Sequence, residues 1–505
     1  MCRRMFVAAV CLILPFVLAG MGGPVAASTL ERGAVAAPES QAAEVGGSIL
    51  SRGGNAVDAA VAVQFAIAVT NAIGAGIGGG GFMLIHEPAA GEVVALDYRE
   101  TAPAGAHRDM FLDQHGDVDA ELSIHSALAS GVPGTVRGMA AVHKQYGSLP
   151  WAELIQPAID LAENGFEIDP WTAGKILEYG DKFALISERF REQVEFKLYF
   201  NGGAGDRMKI PDLAGTLRRI AEQGPEEFYT GETAEMIVAE MQRGGGLITA
   251  DDLAAYRPKW RDPIEGYYRG YRIVSMPPPS SGGVILIEFM NMLEPFERLA
   301  LHSPQQIHLV AEAAKRVFAD RSEYLGDPAF ADVPVDVLTA KDYARARASD
   351  IDLARRTDPA TLKAGDLPVR VDSDGQTTHF SIVDRNGLAV SNTTTMNTGY
   401  GSGLVVDGAG FLLNSQMNDF SAKPGVPNVY GVTGSAANEI APGKRPLSSM
   451  TPTMVFGPGG HLELVLGSPG GPTIITTVLE VILHATDYDR SLAEAVDLPR
   501  FHHQW

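Results

Sequence analysis

The chain has 505 residues, 45% hydrophobic and 20% charged, an ordinary globular balance with room for a large core or for two to three lobes. Its formal charge of −21 argues against nucleic acid or an anionic membrane surface as partner, since both favour basic proteins. The balance fits a protein that handles small molecules, and no low-complexity tract or fixed-period repeat stands out.

Arg3 and Arg4 precede an apolar run at residues 5–20, interrupted only by Pro15, and Val25-Ala26-Ala27 follows with small side chains. Residues 1–27 therefore read as a secretory signal peptide cut before Ser28, too short and wrongly flanked for a stop-transfer helix. A lipid-anchored form is not expected, because Met21 stands where lipid attachment needs Cys. The only two cysteines, Cys2 and Cys11, fall inside this segment. A mature chain would carry no thiol, which excludes disulfides, thiol catalysis and thiolate metal sites. Losing the two Arg takes the formal charge from −21 to −23. The expected location is the periplasm or the exterior, with no membrane association after signal removal.

Next, residues 55–69 are rich in Ala and Val and predict a buried helix capped by Gly54 or Asn55. Gly78-Gly79-Gly80-Gly81 precedes Phe82-Met83-Leu84-Ile85. Four glycines there allow close backbone approach, but no Lys-Ser/Thr and helix follow to make a phosphate cradle. Val93-Val94-Ala95-Leu96-Asp97-Tyr98 predicts the second strand of a hairpin, delivering Arg99-Glu100 to its end. Residues 130–350 read mostly as helices, one led by Trp151 and another over 307–324. A rigid-then-flexible loop, Met276-Pro277-Pro278-Pro279-Ser280-Ser281-Gly282-Gly283, lies between them. Residues 357–376 are polar, with four Asp, and read as an exposed connector.

From Thr377 the pattern turns to β. Thr378, Phe380 and Ile382 share one face; Thr377, His379 and Ser381 share the other. Asp384-Arg385-Asn386-Gly387 is a turn, and residues 388–395 form the return strand. With a two- or a four-residue loop, the fold-back sets one of residues 394–396 beside Thr377. A Thr pair at a strand start satisfies β-propensity alone. Cut after Gln376, however, Thr377 would carry a hydroxyl nucleophile and an α-amine base on one residue.

Several segments together resemble the γ-glutamyltranspeptidase family (γ-glutamyltransferase, glutathione hydrolase). They are Gly53-Gly54-Asn55-Ala56-Val57-Asp58-Ala59-Ala60, the four glycines, Tyr98-Arg99-Glu100 and Ser130-Gly131-Val132-Pro133-Gly134 for its large subunit. For its small subunit they are Gln376-Thr377-Thr378-His379, Thr395-Met396-Asn397-Thr398, Asn414-Ser415-Gln416-Met417-Asn418-Asp419-Phe420-Ser421, Lys444-Arg445-Pro446-Leu447-Ser448-Ser449-Met450 and Gly467-Ser468-Pro469-Gly470-Gly471. The resemblance implies an α+β protein, a four-layer αββα sandwich of the N-terminal nucleophile hydrolase type with a mostly helical lobe. It implies one precursor that cuts itself between Gln376 and Thr377 into a large subunit (28–376) and a small one (377–505). Thr377 would then attack γ-glutamyl amides such as glutathione and pass the glutamyl group to water, an amino acid or a peptide. Thr70-Asn71-Ala72-Ile73-Gly74-Ala75-Gly76 departs from the family pattern. The family also continues beyond Trp505 with further core strands, so the small subunit is expected to be incomplete, with open strand edges.

In that reading Thr395 orients the nucleophile. Arg99 pairs the substrate α-carboxylate through its planar fork, with Ser448 and Ser449 as added donors. Asp419 takes the α-ammonium, with Asn397 and Gln416 as neutral partners. Gly470 and Gly471 offer backbone N–H groups to the oxyanion, and Tyr430 covers the pocket from a lid at residues 422–431. Each has a plainer reading in strand propensity, surface pairing, turns or caps; for Arg99 that is an ion pair with Glu100 or Asp97. His379 is expected to be structural. His502 and His503 diverge on a strand and make a poor metal pair; no metal and no cofactor is expected. The alternatives are a cephalosporin (glutaryl) acylase-like relative and a fragment that does not process.

Overall fold

The computed structural model describes residues 33–186, 199–362 and 375–504. The segment read as a signal peptide, and residues 363–374 of the connector, lie outside the described residues.

The strands are β1 (Ala34–Ala36), β2 (Gly80–Glu87), β3 (Glu92–Asp97), β4 (Phe166–Glu167), β5 (Arg207–Met208), β6 (Lys259–Arg261), β7 (Ile264–Tyr268), β8 (Tyr271–Ser275), β9 (Gly375–Val383), β10 (Ala389–Thr398), β11 (Thr453–Phe456) and β12 (Leu462–Leu466). A six-stranded antiparallel sheet runs β1-β9-β10-β2-β3-β6, and a four-stranded antiparallel sheet runs β12-β11-β8-β7. The pleat sends alternate residues of β2 to opposite cores. Met83 and Ile85 pack with the helices Ser40–Ser51 and Ala56–Thr70, whereas Phe82 and Leu84 pack with the second sheet and its helices Gly282–Leu293 and Thr473–Thr486. The result is four layers, helix–sheet–sheet–helix. The helices of residues 135–255 form the lobe beside them.

Every residue of Ala56–Thr70 is buried, and its many Ala let it lie close against the sheet. Of the two residues predicted as cap, Gly54 or Asn55, it is Asn55 that caps the helix, in a full capping box with Asp58. The glycines make the expected close approaches: a Cβ on Gly78 would meet the Leu412 carbonyl oxygen at 2.1 Å, and one on Gly79 the Thr395 oxygen at 2.3 Å. Asn414 joins two of the quoted motifs, donating through Nδ2 to the Gly78 and Gly131 oxygens, both at 2.8 Å.

Two expectations on secondary structure fail. Within the region read as helical, β7 and β8 form a hairpin. Its two-residue turn, Arg269-Gly270, has φ of 47° and 94°, the left-handed geometry that matches strand twist. Tyr, Ile and Val at period two carried that signal. C-terminal to β10, in the region read as turning to β, Thr473–Thr486 is a helix although rich in β-branched residues, because burial on the second sheet overrides propensity. At the far edge of that sheet β12 leaves Leu462, Leu464, Val465 and Leu466 half-buried.

Candidate active site

The site starts from one hairpin. β9 and β10 pair with Thr377 directly opposite Thr395, so register alone puts the two hydroxyls together. The loop is five residues, 384–388, not the two or four expected. Asp384 closes it by accepting the Asn386 and Leu388 N–H groups at 2.7 and 3.2 Å, and its other oxygen accepts the Ala56 N–H at 3.2 Å. The turn is thus pinned to a helix N-terminus, which locks the register.

Hydrogen-bond directions at Thr377 form one chain. The Thr377 hydroxyl donates to Thr395 Oγ1 at 3.4 Å, and the Asn397 N–H donates to the same oxygen at 2.9 Å. Thr395 then has its own proton for the Gln376 carbonyl oxygen, 3.0 Å away. That carbonyl belongs to the bond expected to break. Beyond Thr395 the ladder shifts register, and Asn397 adopts a left-handed φ of 81°. This turn sends its Nδ2 to the Ser415 oxygen at 2.8 Å and leaves its Oδ1 and carbonyl oxygen to accept the Tyr430 hydroxyl at 2.5 and 2.8 Å.

Thr377 and Thr395 line a cavity of about 770 Å³, open mouth included. Arg99, Asn397, Asp419, Tyr430, Ser448, Ser449 and Gly471 line it as well, so eight of the predicted residues besides Thr377 converge there. Gly470 and Gly471 sit at φ of 121° and 56°, conformations that favour glycine, and Tyr430 lies against Gly471. Two predicted residues fall short. Gly470 is not in the lining, although it adjoins Gly471. Gln416 is fully buried outside the lining, and its side-chain N and O find no partner among the described residues.

Charge gathers at the other end of the cavity. Arg99 is fully buried; it donates to the Pro446 and Leu447 oxygens at 3.3 Å each and bonds Asp419 through Nη2. The two residues expected to hold opposite groups of a substrate thus hold each other. Of the plainer readings, Glu100 lies 3.6 Å from Arg99 Nη1, while Asp97 instead accepts the Arg99 backbone N–H and pairs with Arg261 and Arg445. Burial pushes the Glu100 carboxyl up to about 8 and raises Asp419 as well, against the pull of Arg99 and Arg321. Ser448 and Ser449 are placed by the Pro-rich loop. Ser281 donates its N–H and its hydroxyl to the Ser448 oxygen, both at 2.7 Å, and the Ser448 N–H donates to the Pro279 oxygen at 2.9 Å.

The sequence reading missed Arg321. It leaves the last turn of the helix Pro304–Tyr324 and lines the cavity, but it lies in an ordinary amphipathic run that marks no residue as special. The His379 ring, expected to be structural, bonds residues of its own hairpin, Thr393 and Ser381, each at 2.9 Å, and burial drives it down to about 3. His502 bonds Thr476 and Gln504, and no group of three His, Cys, Asp or Glu among the described residues could hold a metal.

Comparison with known proteins identifies the family. A family model described as gamma-glutamyltranspeptidase matches residues 42–505. The chain is 48% identical over 477 residues to a glutathione hydrolase proenzyme of Escherichia coli strain K12, covering 94% of this chain and 81% of that protein. Among solved structures, the gamma-glutamyltranspeptidase of Helicobacter pylori is 44% identical with a TM-score of 0.63, covering 66% of this chain and 96% of that one. A cephalosporin acylase from Bacillus halodurans is 27% identical with a TM-score of 0.80, covering 97% and 88%. With the αββα sandwich, the paired Thr377 and Thr395 and the model match over most of its length, the chain belongs to the gamma-glutamyltranspeptidase family.

Proposed function

We propose that the continuous chain cuts its own Gln376–Thr377 bond, and that Thr377 then serves as the nucleophile of a gamma-glutamyltransferase and glutathione hydrolase. In maturation the Thr377 oxygen attacks the Gln376 carbonyl. The peptide C–N bond breaks, an ester forms, and the nitrogen takes the hydroxyl proton to become the new α-amine. Water hydrolyses the ester, leaving Gln376 as a carboxylate and residues 28–376 and 377–505 as two subunits. In turnover the α-amine takes the Thr377 proton, the oxygen attacks a γ-glutamyl carbonyl, and the leaving amine departs with that proton. The acyl-enzyme passes the glutamyl group to water or to an amino-acid or peptide amine.

The observation that carries this reading is the hydrogen bond from Thr395 to the Gln376 carbonyl oxygen, with Thr377 donating to the same Thr395 oxygen. A donor on the carbonyl draws charge onto its oxygen as the tetrahedral intermediate forms. Gly470 and Gly471 are assigned the same task for the substrate. Arg99, with Ser448 and Ser449, receives the α-carboxylate, and Asp419 receives the α-ammonium. A bound amino-acid head group replaces the Arg99–Asp419 pair with one new ion pair at each residue, so neither buried charge is stranded. A glutaryl chain has no ammonium and would leave Asp419 without its exchange, which disfavours the acylase reading. The signal-like residues 1–27 support a periplasmic or secreted site of action, and no described helix is long and apolar enough to cross a membrane.

The test is to incubate the purified chain, sequence the N-terminus of the smaller fragment, and assay a γ-glutamyl anilide. Two fragments, the smaller beginning at Thr377, and release of the aniline are expected. A chain that stays whole, or one cut elsewhere, sinks the assignment.

A further inference from the structure

Arg321 is 5% exposed and lines the same cavity as Thr377. A buried guanidinium is normally met by a carboxylate, because leaving its charge unpaired in a low-dielectric site is costly. Among the described residues none is within ion-pair reach of Arg321. Its Nε donates to the Ser281 hydroxyl oxygen at 2.9 Å, and its Nη2 to the Ser449 hydroxyl oxygen at 3.0 Å. The anion whose field it feels is Asp419, which is already bonded to Arg99. Two guanidinium groups therefore share one hydrogen-bonded carboxylate at this end of the cavity. Glu100, the other carboxyl nearby, lies 3.6 Å from Arg99 Nη1 and forms no ion pair with Arg321.

The donor directions say what the surplus does. Each serine hydroxyl has one proton and accepts through oxygen. Ser281 accepts from Arg321 and donates to the Ser448 oxygen at 2.7 Å, which fixes the backbone of the serine pair. Ser449 accepts from Arg321, and no acceptor among the described residues takes its proton. Arg321 thus fixes Ser449 as a donor toward the cavity, and stands behind it with no ion-pair partner among the described residues.

We propose that Arg321 is a positioning and specificity residue for the substrate α-carboxylate: it holds Ser449 as a hydrogen-bond donor and supplies the second cation that the carboxylate neutralises. This rests on the γ-glutamyl reading above and adds to it a requirement for the carboxylate that Arg99 does not carry alone. Lys in its place would keep the charge but could not hold both hydroxyls, lacking the planar fork.

Three donors separate the roles: a γ-glutamyl anilide, a glutaryl anilide that keeps the carboxylate and lacks the ammonium, and a 4-aminobutyryl anilide that keeps the ammonium and lacks the carboxylate. In the matured full chain, Arg321→Gln should raise KM for the first two by about 10- to 100-fold, the range for a hydrogen bond to a charged group. It should leave kcat/KM for the third within about threefold, and Arg321→Lys should recover part of the loss. An equal fall on all three donors, or no change on any, overturns the proposal. Direct binding of L-glutamate and 4-aminobutyrate by calorimetry separates this from failure of the function itself. If the matured wild type turns over none of the anilides, the γ-glutamyl reading fails. The Arg321 site still stands if L-glutamate binds far more tightly than 4-aminobutyrate and Arg321→Gln abolishes the difference, and it falls if the two bind equally.

Discussion

The two ends of the cavity are built on opposite principles. At the Thr377 end the groups are neutral hydroxyls and backbone, placed by one hairpin, and each hydroxyl at Thr377 and Thr395 has a defined direction. At the head-group end, three charged side chains, Arg99, Arg321 and Asp419, meet the hydroxyls of Ser448 and Ser449 inside the protein. Their pairing there is incomplete or provisional. The nucleophile needs geometry fixed to fractions of an ångström, which a strand pair supplies cheaply. On the proposed function, the substrate head group needs electrostatic selectivity, which charges kept dry until it binds would supply.

Breaking the neutral end outright gives the largest effect. Thr377→Ala should remain one chain on a denaturing gel and lose at least about 10⁴-fold in turnover, the scale for removing a nucleophile; any cleavage after Gln376 in this variant contradicts the assignment. Next comes the charged end. Asp419→Ala leaves the buried Arg99 without its hydrogen-bonded carboxylate, a change worth about 3–5 kcal/mol. It should cut kcat/KM for a γ-glutamyl anilide by about 10²- to 10³-fold while cleavage proceeds, since Asp419 has no bond to the Thr377 end; a variant that fails to cleave shows that the two ends are coupled. Thr395→Val keeps the shape but removes the donor on the Gln376 carbonyl. It should slow cleavage about 10²-fold, the typical loss of one oxyanion donor, in a time course followed by gel.

Smaller effects sharpen the contrast. Tyr430→Phe removes a hydroxyl bonded to Asn397, an interaction worth about 1 kcal/mol. KM for the donor should rise about fivefold with kcat nearly unchanged; a larger fall in kcat than in KM would move Tyr430 from lid to chemistry. The subtlest test is of pH. Burial raises the folded Glu100 carboxyl from 4.5 to about 8, so the folded state binds a proton that the unfolded state has released. Stability from this residue is full below about 4.5 and is lost as pH rises toward 8. Glu100→Gln should flatten the fall in melting temperature between about pH 5 and 8; an unchanged slope means that the carboxyl is ionised beside Arg99.

Much of the neutral end was legible without coordinates. Strand period and one turn put Thr395 against Thr377, even though the loop proved to be five residues, because the cross-strand neighbour shifts little with loop length. Asn55 as a cap and the glycines as points of close approach were legible for the same reason: each is a local rule acting on consecutive residues. The β7–β8 hairpin was missed inside a helical stretch, and the helix Thr473–Thr486 was missed because its β-branched residues speak for strand. There, burial against a sheet outweighed propensity.

The charged end shows where sequence stops. Motif resemblance named Arg99, Asp419 and the serines, but it could not show that Arg99 and Asp419 bond each other, nor that Gln416 turns away from the cavity. Nothing along the helix Pro304–Tyr324 distinguishes Arg321 from its other basic residues. Patterns a few residues long determined the Thr377–Thr395 hairpin and the types of group available, whereas the sandwich was implied only by the resemblance of several motifs taken together. Only the tertiary structure decided which buried charges meet. That depends on packing between segments more than a hundred residues apart, where desolvation makes each unmatched charge matter.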